Sequence, residues 1–177
     1  MSDLSYVKGP DAPLLRLTLS EALSRTAARF PDHEALVSRH QNLRYTWQQF
    51  DTAVTRVAEG LAGLGLRPGD RVGIWATNCA EWLLVQYACA RAGCVLVNVN
   101  PAYRPFELSY VLRKSGMRAL FLREQDERTN YREILIQARS PEDRLAHVIR
   151  LGTSDWDRLL ENPAPLSTDP IHPDDPV

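Results

Sequence analysis

Lysine is almost absent from this chain of 177 residues: only Lys8 and Lys114 occur, and all other basic residues except the histidines are arginines. This scarcity removes most candidates for a lysine that grips a phosphate or forms a Schiff base. The overall charge is also balanced, with 21 basic and 22 acidic residues and a net charge of -1. No general attraction to nucleic acid or to anionic lipid follows from such a balance, so we predict no nucleic-acid partner.

Cysteine and histidine are sparse as well. Cys79, Cys89 and Cys94 are odd in number and lie in apolar surroundings, which fits neither a disulfide framework nor a zinc pair. We interpret them as reduced thiols of the core, because free cysteine usually behaves as a small buried hydrophobic residue. The four histidines are far apart in the sequence, and we predict no metal site.

Long hydrophobic runs are missing. The longest apolar stretch, residues 82–90, is interrupted by Gln86 and stopped by Arg91, and it is too short to span a bilayer. The amino terminus also lacks the apolar centre of a signal peptide. We expect no transmembrane segment and a cytoplasmic location.

Glycine-rich phosphate loops are missing too. A nucleotide-binding unit of the Rossmann type needs glycines at its first strand-to-helix turn, so that backbone amides can close on a pyrophosphate. The turn after Trp75 reads Ala-Thr-Asn and has none. Neither a P-loop nor the nucleophile elbow of α/β-hydrolases occurs. The run from Gly152 to Ser154 predicts a helix cap. No carboxylate pair can be assigned to acid-base work, and we predict no catalytic residue.

The residues that are present predict an α/β fold. Thr18 with Glu21 and Thr46 with Gln49 have the spacing of capping boxes at the start of helices, and residues 34–45 favour a small hairpin. From residue 72 to residue 151, strands alternate with helices across short connections, which is typical of a mainly parallel sheet with flanking helices. Asn78 is expected to cap one of these helices, with Glu81 three residues later.

One apolar run and one proline-rich run complete the prediction of the fold. Residues 94–99 are almost uninterruptedly apolar, as in a central parallel strand that is covered on both faces. Residues 152–177 carry five prolines around one short helix. We therefore divide the chain into an amino-terminal arm (1–17), an α/β subdomain (18–151) and a connecting segment (152–177).

Five blocks in order resemble a known family. They are Arg44-Tyr-Thr46 before a long helix, Gly69-Asp-Arg-Val72, Asn78-x-x-Glu81-Trp82, Ala92-Gly93, and Asn98-Val-Asn-Pro101-x-x-x-Pro-x-Glu107-Leu108. Together they resemble early blocks of the adenylate-forming acyl-CoA synthetases, especially the medium- and long-chain fatty-acid branch. The likeness covers roughly residues 18–177.

The resemblance implies a two-step ligase in which ATP and a fatty acid give an acyl-adenylate, and coenzyme A then displaces AMP. It implies ATP, Mg²⁺ and CoA as cofactors of the parent enzyme. The family's phosphate loop and catalytic lysine lie downstream of this segment, and the ending Pro-Asp-Asp-Pro-Val resembles the approach to that loop. We therefore expect an inactive amino-terminal fragment that binds none of these cofactors by itself.

The same resemblance points to one loop as a ligand contact. In some members an arginine after the Asn-Pro pair approaches the 3'-phosphate of CoA, but Ala102 holds the matching place here. Arg104 is the candidate substitute, because an arginine fork suits phosphate. Asn100 and Tyr103 are candidates that shape the same loop.

Two other readings remain open. One is a module without enzymatic activity that uses the sheet edge or the apolar arm for self-association or partner binding. The other is a fragment of an enzyme that adenylates aryl acids or amino acids. Apart from these alternatives, a homo-oligomer or exposed apolar surface is expected of a sheet that has lost partner strands.

Overall fold

A four-stranded parallel sheet carries the fold in the computed structural model, which describes residues 9, 10, 12, 13 and 15–177. Most of the predicted arm, residues 1–17, lies outside the described residues. Among those that are described, no helix is both long and apolar enough to cross a membrane.

The described chain alternates helices with strands. The helices are α1 (Leu19–Arg29), α2 (Trp47–Gly63), α3 (Ala80–Ala92), α4 (Pro105–Ser115), α5 (Tyr131–Ala138) and α6 (Ser154–Glu161). The strands are β1 (Glu34–Ser38), β2 (Leu43–Thr46), β3 (Arg71–Trp75), β4 (Val95–Asn98), β5 (Ala119–Leu122) and β6 (His147–Arg150). The predicted α/β class, with a parallel sheet and flanking helices, is confirmed.

Capping by local side chains begins α1 and α2 as the sequence predicts. The Thr18 hydroxyl accepts a hydrogen bond from the Glu21 amide at 3.1 Å, and the Thr18 amide donates to the Glu21 carboxylate at 2.8 Å. Thr46 and Gln49 repeat this reciprocal pair at the start of α2. Each box satisfies two backbone donors that the first helical turn would leave free.

The predicted hairpin is also present. Strands β1 and β2 pair antiparallel around a 3-10 turn at Arg39–Gln41. Asn42 ends that turn with a φ of 52°, a left-handed conformation that asparagine tolerates better than most residues. This hairpin packs beside the helices that follow β3 and β2, rather than joining the main sheet.

The main sheet has the strand order β4-β3-β5-β6, with all neighbours parallel. From β3 the chain crosses to one side to reach β4, and from β4 it returns past β3 to reach β5. Because parallel crossovers are right-handed, opposite directions place the helices on opposite faces. One core therefore lies under α2, α3 and α6, and a second core lies under α4 and α5.

The alternation of side chains along each strand feeds both cores. Val72 and Ile74 of β3 belong to the first core, whereas Trp75 belongs to the second. In β5, Phe121 points to the first core and Leu120 to the second. All five side chains are fully buried.

Strand β4 corrects one expectation. The apolar run at residues 94–99 predicted a central strand, yet β4 is the edge of the four-stranded sheet in the described part of the chain. Its residues Val95 to Val97 are only half-buried. An apolar run indicates that helices cover both faces of a strand. It does not indicate whether the strand has a hydrogen-bonded neighbour on each side.

Two glycines let α6 lie directly against α2. A Cβ atom added to Gly63 would lie 2.0 Å from the backbone oxygen of Asn162, and one added to Gly60 would lie 2.6 Å from that of Leu159. The segment after residue 151 is thus packed on the subdomain through its helix. The division of the chain at residue 152 stays a prediction.

Candidate functional site

The carboxyl ends of the parallel strands define one edge of the sheet where loops converge. The chain leaves β3 and β5 in opposite directions, so their connections part at the boundary between these two neighbouring strands. Ligands of open α/β sheets bind in the crevice at such a switch point. The loops at this edge are residues 76–79 after β3, 99–104 after β4 and 123–130 after β5.

The three candidate residues all lie in the loop after β4. The Asn100 carbonyl accepts hydrogen bonds from the Trp75 indole and from the Tyr103 amide, each at 3.0 Å. The Asn100 side chain accepts from the Ala102 amide at 2.9 Å. Asn100 therefore shapes its own loop and does not point its amide oxygen freely into the crevice.

Arg104 stands at the end of this loop, immediately before Pro105 and α4. Its amide donates to the Glu107 carboxylate at 3.1 Å, while its side chain is exposed and forms no ion pair with the described residues. Tyr103 is half-buried against the core under α4 and α5. The structure brings the three residues together, and a ligand for any of them stays a prediction.

A buried pair of aromatic rings joins this loop to the loop after β5. Trp75 and Tyr131 are fully buried and meet edge to face, with ring centroids 4.8 Å apart. The Tyr131 hydroxyl donates to the Asp126 carboxylate at 2.6 Å. Asp126 also accepts from the amides of Arg128 and Thr129, at 2.9 and 2.8 Å. One chain of contacts thus holds both loops to the end of β3.

Sequence reasoning missed this network. Residues 123–128 carry charges of both signs, which is typical of an exposed turn, and Trp75 stands at the end of a strand, so neither pattern indicates a buried contact between them. The sequence did hold one indication of this turn: Asp126 stands two and three residues before the backbone amides that donate hydrogen bonds to it. Nothing in the sequence could reveal that Tyr131 would reach the same carboxylate while packing on Trp75.

Arginines set the charge around the network. Burial raises the pKa of Tyr131, helped by its bond to Asp126, while the positive charges of Arg123 and Arg104 act in the opposite direction. The Tyr131 hydroxyl lowers the pKa of Asp126, together with the Arg128 and Thr129 amides. Both Arg104 and Arg123 therefore lie close enough to act on the same hydroxyl, although they follow different strands.

The cysteines are poor nucleophiles in this setting. Burial raises the pKa of Cys79 to about 11 and that of Cys94 to about 12, and the pKa of Cys89 lies well above its ordinary value for the same reason. A thiol that stays protonated does not attack a carbonyl or phosphorus centre. All three are free and buried, as predicted for core thiols.

The described residues offer no group of three or more His, Cys, Asp or Glu side chains that could hold a metal ion. A Mg²⁺ ion bound by protein needs oxygen ligands from carboxylates at its site. Two carboxylates of the loop after β5 are already engaged: Asp126 accepts from Tyr131, and Glu124 lies 3.6 Å from both Arg132 and Arg150. The third, Glu127, is exposed and stands without a second free carboxylate in that loop. These residues therefore do not fit a Mg²⁺ site.

Comparisons with known proteins agree on one family. Residues 23–177 match the family described as AMP-binding enzyme. The chain is 47% identical over 135 residues to the medium-chain acyl-CoA ligase ACSF2, mitochondrial, of Mus musculus; the match covers 76% of this chain and 22% of that protein. It is 42% identical over 124 residues to the putative acyl-CoA synthetase YngI of Bacillus subtilis, covering 70% and 23%. The chain thus spans less than a quarter of these relatives.

Solved structures share the fold. The N-terminal domain of FACL13 from Mycobacterium tuberculosis superposes with a TM-score of 0.78 at 23% identity, covering 90% of this chain and 40% of that one. An anthranilate CoA ligase, AuaEII, solved with anthranoyl-AMP, gives a TM-score of 0.78 at 24% identity, covering 92% and 31%. At such identities these two structures establish the architecture alone.

Proposed function

The chain belongs to the AMP-binding enzyme family, and from this premise we propose that it is the amino-terminal portion of an ATP-dependent fatty-acyl-CoA ligase. The observation that carries the proposal is the 47% identity to a medium-chain acyl-CoA ligase over 135 residues. The proposed reaction joins a carboxylate to ATP with release of pyrophosphate. The CoA thiol then attacks the acyl-adenylate, loses its proton and displaces AMP.

In this proposal the chain supplies scaffold rather than chemistry. Both steps develop negative charge on phosphate, which enzymes meet with fixed amides, cations or metal ions. The described residues carry no glycine-rich phosphate loop and no ligand set for Mg²⁺. ATP and Mg²⁺ are therefore proposed to bind other parts of the longer enzyme, and we assign no step to a residue of this chain.

The loop after β4 is the part of the chain proposed to approach a substrate. Arg104 is exposed at its end, and the Trp75 indole fixes its backbone at Asn100. A fixed loop places a cation without the entropic cost of ordering it when the ligand arrives. A contact between Arg104 and a CoA phosphate remains part of the proposal.

A chimera tests the function. The 135-residue segment of the mouse ligase that matches this chain is replaced by the corresponding residues of this chain, and the thioester product is measured with ATP, CoA and a series of carboxylates. We expect activity with medium-chain fatty acids, because the scaffold is exchanged within one family.

The isolated chain provides the complementary experiment. We expect it to give no carboxylate-dependent exchange of pyrophosphate into ATP. A folded but inert chimera would contradict the proposed parentage, and robust exchange by the isolated chain would contradict its role as a scaffold. The two outcomes are independent of each other.

A binding module without enzymatic activity is the second candidate. It is favoured by the half-buried edge strand β4 and by Phe106 and Tyr110, which are 83% and 57% exposed one helical turn apart on α4. Self-association of the isolated chain together with an inactive chimera would support the binding module over the ligase.

A cytoplasmic location and a homo-oligomeric state also stand as proposals.

A further inference from the structure

A cleft lies on the face of the fold opposite to α4 and α5, where α2, α3 and α6 meet. Its volume is about 460 Å³, within the range of about 300 to 1,000 Å³ that is usual for small-molecule sites. Its apolar walls come from three helices and the end of β2. They are formed by Tyr45, Ala53, Val57, Leu84, Trp156 and Leu160.

The apolar part of the cleft is continuous with the first core. Val57 and Leu84 form its floor and are 1% and 4% exposed, whereas Trp156 and Leu160 of α6 are half-buried walls. The Trp156 ring is fixed at its inner side, where it meets Phe121 edge to face with centroids 6.2 Å apart. The Trp156 wall is therefore anchored in the core, and the apolar lining suits an aliphatic or aromatic group.

The polar rim of the cleft carries donors and a single charge. Gln49, Thr52 and Arg56 line it at spacings of three and four residues, and residues at these spacings share one face of a helix. The Gln49 side-chain oxygen is occupied by the Thr46 amide at 2.9 Å, so its NH₂ group is the part left to contact a ligand. Gln48 adds a second carboxamide to the rim.

Arg56 gives the rim its sign. Its side chain is exposed and has no carboxylate within 4.0 Å among the described residues, and no aspartate or glutamate lines the cleft. Glu59 follows Arg56 by three residues on α2 but forms no ion pair with it. The Glu81 carboxylate acts on the Tyr45 hydroxyl and accepts a hydrogen bond from Gln41 at 2.8 Å. An anionic head group is therefore favoured at the Arg56 end, away from Tyr45.

We propose that this cleft binds an amphipathic carboxylate, with the apolar tail between Val57, Leu84 and Trp156 and the carboxylate on the Arg56 guanidinium. A planar guanidinium accommodates a carboxylate with two parallel hydrogen bonds. The apolar walls contribute through removal of the tail from water. The binding needs neither ATP nor CoA, and it does not depend on the proposed ligase function.

The test uses the 177-residue chain and decanoate below its micellar concentration, with binding measured by isothermal titration calorimetry. We expect saturable binding of one decanoate per chain, and binding of 1-decanol about tenfold weaker because it lacks the charge. Arg56→Gln should weaken decanoate about tenfold and leave decanol unchanged, whereas Arg56→Lys should retain part of the preference. Ala53→Trp, which fills the cleft, should abolish both.

Arg113→Gln, on the remote helix α4, is the matched control and should bind decanoate like the unaltered chain. Circular dichroism melts show whether each variant is folded. Absence of saturable binding, equal affinity for decanoate and decanol, or binding that survives both Arg56→Gln and Ala53→Trp would overturn the proposal. Dimers that Ala53→Trp abolishes and decanoate does not affect would assign the cleft to a second copy of the chain and overturn it as well.

Discussion

The amino-terminal end of α3 is capped by Gln41, although Asn78, which is nearer in the sequence, was expected to cap it. The side-chain oxygen of Gln41 accepts from the Ala80 amide at 2.7 Å, and its NH₂ group donates to Glu81 at 2.8 Å. Cys79 occupies the N-cap position and makes no side-chain capping bond. The prediction that Asn78 caps this helix is therefore wrong, because the hairpin delivers a better placed oxygen from 39 residues away.

Replacement of Gln41 tests this assignment. Gln41→Ala should lower the free energy of unfolding by about 1 to 2 kcal/mol, since it leaves the Ala80 amide without its capping partner. Asn78→Ala is the control and should change it by less than about 0.5 kcal/mol. Urea denaturation followed by circular dichroism measures both. A larger loss of stability in Asn78→Ala than in Gln41→Ala would instead support Asn78 as the capping residue.

An aspartate on α6 should make stability depend on pH. The pKa of Asp155 is lowered, chiefly by its hydrogen bond to Arg150, whose Nε lies 2.5 Å from the carboxylate. A carboxyl group with a pKa below its unfolded value stabilises the fold above that unfolded value, and this contribution disappears as the pH falls through the folded pKa. The loss should therefore begin near pH 4 and proceed below it.

Asp155→Asn checks the sign. The variant should be less stable than the unaltered chain at pH 6, and the difference should shrink as the pH falls below about 4, where the native carboxylate also becomes protonated. Thermal melts of both proteins between pH 6 and pH 2.5 measure this difference. A gap that stays constant across the range would show that the charge of Asp155 does not contribute.

At the scale of elements, local sequence patterns predicted which helices and strands form, but they did not predict which elements lie next to each other. The capping boxes at Thr18 and Thr46, the hairpin and the alternation of strands with helices are all properties of short segments, and the structure confirms them. The edge position of β4 depends on which strands meet, which side-chain periodicity does not encode. The contacts around Trp75 could not be predicted for the same reason, since Tyr131 lies 56 residues later in the chain.

Arg91 links three helices through one ion pair and several hydrogen bonds. The Arg91 side chain on α3 is 10% exposed and lies 2.6 Å from the Asp51 carboxylate on α2. It also donates to the Ser20 hydroxyl on α1 at 3.0 Å and to the Thr55 hydroxyl at 2.6 Å. Its removal would deprive the Asp51 carboxylate of its cation and the Ser20 and Thr55 hydroxyl oxygens of this donor.

Arg91→Ala should therefore lower the free energy of unfolding by about 2 to 4 kcal/mol. Arg44→Ala is the matched control, because Arg44 pairs with Glu34 at the surface, where the two side chains are 66% and 59% exposed. That change should cost less than about 1 kcal/mol. Urea denaturation of both variants gives the comparison, and similar losses would contradict the role of burial.

The contact between Trp75 and Asn100 should fix the loop after β4. Trp75→Phe keeps an aromatic ring against Tyr131 but removes the indole donor, so the Asn100 carbonyl loses a partner at 3.0 Å. We expect faster hydrogen exchange at the Ala102 and Tyr103 amides, which depend on the position of Asn100. Trp82→Phe is the control, because the Trp82 indole makes no hydrogen bond among the described residues.

Exchange is measured by NMR on the isolated chain under native conditions. Opening of a loop raises the exchange of its own amides without a matching change in the core strands. Unchanged protection at residues 102 and 103 in Trp75→Phe would contradict the positioning role. Equal acceleration throughout β3 and β5 would instead indicate a global loss of stability.

For the whole molecule, the exposed apolar surface determines how the isolated chain behaves in solution. Phe106 is 83% exposed and Tyr110 is 57% exposed on adjacent turns of α4. In the described residues the parallel sheet ends at two edge strands, β6 and the half-buried β4, and each pairs with only one neighbour. Contiguous apolar surface and open strand edges both favour association. We therefore expect the chain to bind a hydrophobic dye and to form oligomers as its concentration rises.

The double variant Phe106→Ser, Tyr110→Ser separates the two sources of association. If the helix face is responsible, dye fluorescence and the sedimentation coefficient at high concentration should both fall toward values for a monomer. Leu19→Ser, which removes a 42% exposed leucine from α1, is the control and should change neither. Oligomers that persist in the double variant with reduced dye binding would place the contact at an edge of the sheet, β4 or β6, since backbone pairing there does not need the aromatic rings. A monomer without dye binding in the unaltered chain would contradict both sources.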